Sequence, residues 1–581
     1  MSGKFKLQVL NPRGEPAYPE RKGLFAPRPA DLNGKRVAIL AMADCMDFFK
    51  VIAEMLGEKY PNADIKFYQS MSGPNSPDDS AEIAAKCDVW VEGIKVATTG
   101  GRFDSGVRLE KRGCPGVSIC TDALELHKKL MFDFNGMPTC RVVAVSSTEY
   151  CAAKSNLELT KKVAAAAFDD IERAMTSPLT REETDVEDFK FDNSPLSFEG
   201  DDYSDALEKF QQYCADNHMT DGMPVVPPTK EAVERMLGGT SLSPSTEIGL
   251  MYPKQGRATV EKIAINAVMS GAKPEYLPVI IAMIETMAED FNQYHIVNEI
   301  LPVTLVSGPI IDELKINNKN GYLAPGHRPN ATIGRSLLMC MINIGWRRMD
   351  VYSSPGGAGQ PAAYANYLIV ENQEESPWET YAESTGFAPG DSTVTLCETL
   401  TMTNGPAEIF SVAGYEQRLQ ALKKMFASYM GPIPMGMIPG GRPMDMKGMS
   451  EDNRHMLVMH PTLAWQLHNA GFTRQSFIQW LYDNTVIDWD SMSEEQQAKT
   501  KADAEAGNIP GVTAEDLKPG FFRGPFTDVR HVALIVSGTG SGGTKLFSTM
   551  CGSTGHAEDV VTPRPYMHKK IRGATLTVFG K

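Results

Sequence analysis

The sequence predicts an α/β protein in which a flavodoxin-like, doubly wound parallel sheet is followed by a larger mixed α/β (α+β) unit. Three observations lead there. A strand-turn-helix pattern repeats from Arg36 to Val145, an acidic stretch poor in large aliphatics follows it, and beyond that stretch helical and strand periodicities mix. No internal repeat with a period of 20 to 50 residues is present, which argues against solenoids and propellers.

After an N-terminal arm (residues 1–33), the first unit (34–176) opens with the apolar strand Val37 to Ala43. A helical pattern with apolar spacing of three and four follows at Phe48, Val51, Ile52, Met55 and Leu56. Further strands read as Ile65 to Tyr68, Val89 to Glu92, Gly116 to Cys120 and Arg141 to Ser146. Each precedes a helix-like segment, so the crossovers are right-handed and the strands parallel. Residues 177–204, with REETDVEDFKFDNSPLSFEGDD at their centre, lack the apolar surface to build a core and read as an acidic linker.

The second unit (205–581) follows a helix at Tyr203 to His218 and the turn-rich DGMPVVPPT. Helices are expected at Thr259 to Gly271, Pro278 to Ala288 and Glu416 to Tyr429, and strands at Pro302 to Ser307, Ser392 to Cys397 and His531 to Ser537. Met430 to Met449, dense in Met, Gly and Pro, reads as an irregular packed loop or a lid. A charged insertion is expected near 488–518, with a helix at Ser493 to Ala506.

Composition narrows the function. At 581 residues the chain exceeds one core, since domains average about 150 residues. A formal net charge of -15 and the lack of any dense Lys/Arg tract exclude a polyanionic partner, so no nucleic-acid binding is expected. No run of 18 apolar residues offers a membrane span, and the N-terminus lacks a signal-peptide core, so a cytoplasmic protein is expected. Ten scattered cysteines without a CxxC pair read as reduced thiols, and 31 methionines suit a reducing compartment.

In a parallel sheet the ligand site lies at the carboxyl ends of the strands, here Asp44-Cys45, Gln69-Ser70, Gly93 to Gly101, Thr121-Asp122 and Ser146 to Thr148. Amides and hydroxyls of Thr98, Thr99, Gly100 and Gly101, before a helix starting near Asp104 or Ser105, can hold an anion or simply form a turn. Cys45, beside Asp44 at a helix start, is the thiol best placed for a lowered pKa, although buried inert cysteines are commoner. Cys551 and His556 form a weaker pair.

In the second unit PGHRPNATIGR (325–335) is the most chemically loaded stretch. Pro329 ends a turn and Asn330 or Thr332 caps the next helix, which sets His327, Arg328, Asn330 and Thr332 at a helix N-terminus. There they suit a carboxylate or phosphate, with His327 as acid or base; a plain capped helix is the competing reading. Glu371 and Glu374 offer a general base or metal ligand, against the reading of a solvated acidic face. The late GTGSGGTK (538–545) is not a phosphate loop of the Gly-Lys-Ser/Thr kind, because Thr544 precedes Lys545; a looser anion loop or a flexible turn fits it. No HExxH, paired CxxC or Gly-x-Ser-x-Gly motif is present, and no motif specifies a metal or cofactor.

The run CDVWVEGIKVATTGGRFDSGVRLEKRGCPGVSICTDAL (Cys87 to Leu124), with GMPTCRVVAV after it, resembles the UGSC-type selenoprotein and thiol protein family. TDGMPVVPPT, GRATVEKIAINAVMSGAKPEYLPV, NATIGRSL, GQPAAYANYLIVENQEESPWE and VALIVSGTGSGG resemble the larger unit that accompanies it in some bacterial members. The resemblance implies thiol or selenol redox chemistry at a (seleno)cysteine-Gly-Ser-Cys motif after the third strand. Here that loop is KVATTGG, Lys95 to Gly101, without sulfur, so the redox role does not carry over to it.

The expectation is therefore an enzyme acting on a small anionic metabolite between the two units, by a lyase or redox step. Arg328, Asn330, Thr332 and the Thr98 to Gly101 loop would bind the anion, His327 would move the proton, and Glu371 or Cys45 would assist. The alternative is a noncatalytic subunit serving a sulfur-bearing paralogue. A homo-oligomer is expected in either case.

Overall fold

The structure is a computed structural model that describes residues 4–17, 21–41, 45–69, 80–93, 105–153, 156–290, 301–348, 368–399, 401–404, 414–429, 455–509, 512–540, 544–548 and 567–572. Its strands are β1 (Phe5–Val9), β2 (Arg36–Ala41), β3 (Asp64–Gln69), β4 (Val89–Gly93), β5 (Gly116–Thr121), β6 (Val142–Val145), β7 (Leu196–Gly200), β8 (Glu247–Met251) and β9 (Gly256–Thr259). There follow β10 (Leu301–Ser307), β11 (Leu368–Val370), β12 (Thr393–Thr399), β13 (Thr401–Asn404), β14 (His455–Met459), β15 (Ile487–Asp488), β16 (Phe522–Arg523), β17 (Val532–Val536), β18 (Lys545–Ser548) and β19 (Met567–Lys570).

Strands β2 to β6 form one parallel sheet in the order β3-β2-β4-β5-β6. Counted within the unit this is 2-1-3-4-5, the flavodoxin-like order, and the strand order reverses between β2 and β4. β2 and β5 are almost wholly buried because both sheet faces are covered. Helices Met46–Lys59 and Leu157–Thr176 pack Phe48, Phe49, Ile52, Ala164 and Phe168 onto one face. On the other face Ile83 and Leu109, from helices Ser80–Lys86 and Ser105–Lys111, meet Ala38, Leu40 and Trp90.

The second unit stacks four layers. A sheet β11-β10-β12-β19 faces a sheet β13-β18-β14-β17. Val303, Leu305 and Ile369 from the first pack with Met456, Val458, Ala533 and Ile535 from the second. The outer face of the first sheet is covered by helices Val260–Met269, Leu277–Asp290 and Arg328–Asn343, whose apolar residues merge with Val306, Leu368 and Leu396. Helices Tyr415–Tyr429, Pro461–Asn469 and Arg474–Thr485 cover the outer face of the second.

The start of the N-terminal arm and the end of the acidic stretch belong to this larger body, whereas Leu24, Arg28 and Leu32 of the arm pack on the parallel-sheet unit. β1 pairs antiparallel with β7, and Leu7 and Val9 enter the same core as Phe210 and Ile263. Arg13 is buried, donates to the carbonyls of Ile342 and Asn217, and lies 4.4 Å from the Trp346 ring centroid. The stretch read as a linker carries a helix, Arg181–Thr184, closed by a capping box at Thr180 and Glu183, before it enters β7. Glu183 also takes a two-pronged pair from Arg141. Local side-chain and backbone bonds thus order a segment with little apolar surface of its own.

The charged insertion does contain a helix, Glu494–Glu505, but with a small core of Trp489, Ala504, Val512 and Leu517. Among the described residues no helix is long and apolar enough to cross a membrane.

Candidate functional site

Two parallel strand pairs set up the site. β10 runs parallel to β11, and β14 parallel to β17, so their carboxyl ends deliver Ser307, Glu371-Asn372, His460 and Ser537 to the rim of the facing sheets. Backbone and side-chain bonds sew these ends together. Asn372 N donates to Val536 O at 2.8 Å, Ser537 N to Met459 O at 3.0 Å, and Ser537 Oγ to Val370 O at 2.6 Å. Asn372 Nδ2 donates to Gly538 O at 2.7 Å, and Gly538 N to Asn318 O at 2.9 Å.

Glu371 is fully buried here. Its carboxylate accepts from Ser307 Oγ (2.5 Å), from the Tyr381 amide (2.9 and 3.0 Å) and from Arg474 Nη2 (3.1 Å). Arg474, also buried, gives its other bonds to the carbonyls of Leu534 and Glu379. A carboxylate this fully engaged anchors the rim; its lone pairs are not available to a substrate proton or a metal. Glu374, three residues on, is the solvated member of the acidic run and pairs with Lys319.

Beyond this anchor lie buried polar atoms without a hydrogen-bond partner among the described residues. His460 caps helix Pro461–Asn469 and is 1 % exposed. Its Nδ1 is 3.2 Å from the Leu463 amide, which needs an acceptor, and 3.0 Å from Gly540 O, which needs a donor. One atom cannot serve both, yet in either tautomer Nε2 is buried without a hydrogen-bond partner among the described residues. Thr544 Oγ1 shares that condition, whereas the Tyr322 hydroxyl stands beside the Ser537 side chain without a hydrogen bond of good geometry. These groups flank the two described ends of the segment 537–544: a Cβ on Gly538 would sit 3.7 Å from the Tyr322 ring, Gly540 O meets His460, and Thr544 leads into β18, which pairs with β14. Burial holds the His460 pKa below its ordinary value; the Gly540 carbonyl partly offsets this and the nearby Arg418 charge adds to it. Burial likewise raises the Tyr322 phenol. Near neutral pH the rim offers a neutral imidazole and two hydroxyls.

The residues chosen from sequence fall partly behind this rim. His327 is exposed and is the N-cap of helix Arg328–Asn343, without a side-chain cap bond. The helix starts ahead of the expected caps Asn330 and Thr332, because Pro329 is tolerated in a first turn where amides lack partners anyway. Arg328 donates twice to Gly271 O (2.9 and 3.1 Å), and Thr332 Oγ1 bonds back to Arg328 O at 2.8 Å. Asn330 is buried and holds Asn317 through both its N–H and its C=O, at 2.9 and 2.8 Å. Asn330 therefore anchors the loop that carries Asn318 and Tyr322 to the rim.

Thr98, Thr99, Gly100 and Gly101 lie outside the described residues, as do Met430 to Met449, Cys551 and His556. Cys45 sits in the other unit as the buried N-cap of helix Met46–Lys59, where its thiol donates to Gly93 O at 3.0 Å across the point of strand-order reversal. The described contacts give it no link to Glu371 or His327.

Residues 8–177 match the UGSC family. The N-terminal unit is a UGSC-family domain. No curated protein and no solved structure matches the chain. Within the UGSC domain the carboxyl ends of β4 and β5 hold a closed polar cluster, in which buried Glu92 accepts from Lys128 (2.8 Å) and Ser118 (2.7 Å). The domain meets the larger unit at Lys254, whose ammonium lies 3.7 Å from Asp133 and over the rings of Phe134, Phe189 and Trp346.

Sequence reasoning missed His460, Tyr322, Ser307 and Arg474. His460 had a readable signal, since the apolar run MLVM ends in His-Pro, a strand followed by Pro in a first helical turn. Arg474 had none, because its partner Glu371 is 103 positions away.

Proposed function

We propose that the protein is an enzyme that binds a small anionic metabolite at the strand-end rim of the second unit and transfers a proton through His460 Nε2, a lyase-type step. The observation that carries this reading is the grouping of three buried polar side chains, His460, Thr544 and Tyr322, at the two described ends of the segment 537–544, where His460 Nε2 and Thr544 Oγ1 have no hydrogen-bond partner among the described residues. Burying such groups unbonded costs about 1–3 kcal/mol each, a cost that a bound ligand would relieve. An imidazole kept neutral by burial is suited to accept a proton, and the Arg418 charge beside it favours an anion. The proposal places the site within the second unit, and the contact between the units at Lys254, Asp133 and Trp346 takes no part in it.

The test is a thermal-shift screen of the full-length protein against small carboxylates and phosphates, followed by turnover assays on the hits. A stabilising ligand whose effect is lost in His460→Ala and Tyr322→Phe, both folded by circular dichroism, is the expected result. Ligands that stabilise all three proteins equally would remove the rim from consideration. A noncatalytic subunit is the second reading, favoured by the sulfur-free Lys95 to Gly101 loop of the UGSC domain. It requires a stoichiometric partner chain on native mass spectrometry of protein from its own host.

A further inference from the structure

At the end of the parallel sheet opposite its carboxyl rim, two thiols touch. Cys87 ends the turn before β4, Cys114 ends the turn before β5, and their Sγ atoms are 3.1 Å apart, both residues buried. The geometry follows from the sheet: β4 and β5 are adjacent and parallel, with Trp90 opposite Gly116, so the residues just before them are lateral neighbours. Gly116 lets the chains come this close, since a Cβ there would lie 2.2 Å from the Trp90 ring. Trp90 Nε1 donates to Cys114 O at 2.9 Å and fixes the second cysteine's backbone. Other buried cysteines of the domain, Cys120 and Cys140, have no thiol partner among the described contacts.

We propose that Cys87 and Cys114 are a reversible dithiol–disulfide pair that closes on exposure to hydroperoxide. The two sulfurs are already close to bonding distance, and little backbone movement is needed to reach the ~2.05 Å of a disulfide. The hydrogen bond from Cys114 and the charge of Arg36 lower the Cys87 thiol, so Cys87 is the sulfur that attacks. Its thiolate displaces hydroxide from hydrogen peroxide to give a sulfenic acid. Cys114 then attacks that sulfur, the S–S bond forms and water leaves. Two thiols and one peroxide give one disulfide and two waters. The bond spans 27 positions and closes a ring of chain that includes residues 94–104, the segment between β4 and the helix Ser105–Lys111. This inference is independent of the rim in the second unit.

The full-length protein is titrated with hydrogen peroxide, alkylated under denaturing conditions and mapped by mass spectrometry without reduction. Exposed Cys151 serves as the internal reference. The expected result is a Cys87–Cys114 linked peptide, two hydrogens lighter than its reduced parts, that forms no later than Cys151 oxidation and reverts with dithiothreitol. Full alkylation of both cysteines after Cys151 is completely oxidised would overturn the proposal. So would pairing of either one with a different cysteine. No variant is required, so a folding failure cannot confuse the outcome.

Discussion

Arg474 reaches Glu371 across the seam between the two facing sheets at 3.1 Å, and both side chains are sealed from solvent. Removing Arg474 leaves the Glu371 carboxylate buried without its cation, and removing Glu371 leaves Arg474 only the longer pair with Glu379 at 3.7 Å. Arg474→Met should destabilise the second unit by about 3–5 kcal/mol, whereas Arg474→Met combined with Glu371→Leu should cost clearly less than the sum of the singles. Urea unfolding of the four proteins in a double-mutant cycle measures this.

His460 gives a pH signature of opposite origin. Its folded pKa lies below the ordinary value of 6.5 because burial penalises the imidazolium. As pH falls below 6.5 the unfolded chain takes up a proton that the folded chain resists, so stability drops through that window and levels off below the folded pKa. His460→Asn, which keeps an acceptor for the Leu463 amide, should flatten the acid limb relative to wild type. The readouts are urea midpoints between pH 5 and 7.5 and the imidazole resonances of His460.

Lys262 acts at the alkaline side. It is buried, held by Asn11 O and Asn193 Oδ1 at 2.6 Å each, and desolvation brings its pKa down from 10.5 to about 8. Below about pH 8 the amine is charged in both folded and unfolded chains and the burial penalty is fully expressed; above 10.5 it is neutral in both and the penalty is gone. Stability attributable to this residue should therefore rise between those limits, by up to about 3 kcal/mol. The difference between wild type and Lys262→Met, followed by denaturation from pH 7.5 to 10.5, isolates it.

Gly116 is a steric prediction. A methyl group there would meet the Trp90 ring at 2.2 Å and the Trp90 carbonyl at 2.4 Å, and a carbonyl within a sheet cannot swing aside. Gly116→Ala should destabilise the UGSC domain by about 3 kcal/mol, the upper part of the range for overpacking. Intrinsic tryptophan fluorescence and the melting temperature both report it.

The parallel sheet was legible because every strand is an apolar run followed by a helical pattern, and Val37, Ile65, Val89, Gly116 and Val142 all fall in strands as read. β14 escaped notice because its run of apolar residues is only four long, Met456 to Met459, and comes soon after a stretch rich in Met, Gly and Pro. The candidate site was less legible. Glu371 and Glu374 look alike in a carboxylate run, and only the distant Arg474 tells the buried anchor from the solvated charge. PGHRPNATIGR was chemically loaded for a different reason than expected, since Arg328 and Asn330 spend their hydrogen bonds holding Gly271 and Asn317. Tertiary pairing of this kind leaves no trace in local spacing.

The pairing of β1 with β7 reorders the chain's modular logic. Phe5 to Val9 and Arg13 complete a body whose remaining parts begin nearly two hundred positions later, so the parallel-sheet unit is an insert between the first strand of the larger domain and the rest of it. The larger domain is discontinuous. A single cut cannot release it whole, and a fragment that starts at residue 205 would lack β1 and β7 together and expose Phe210 and Ala206, now buried beneath them.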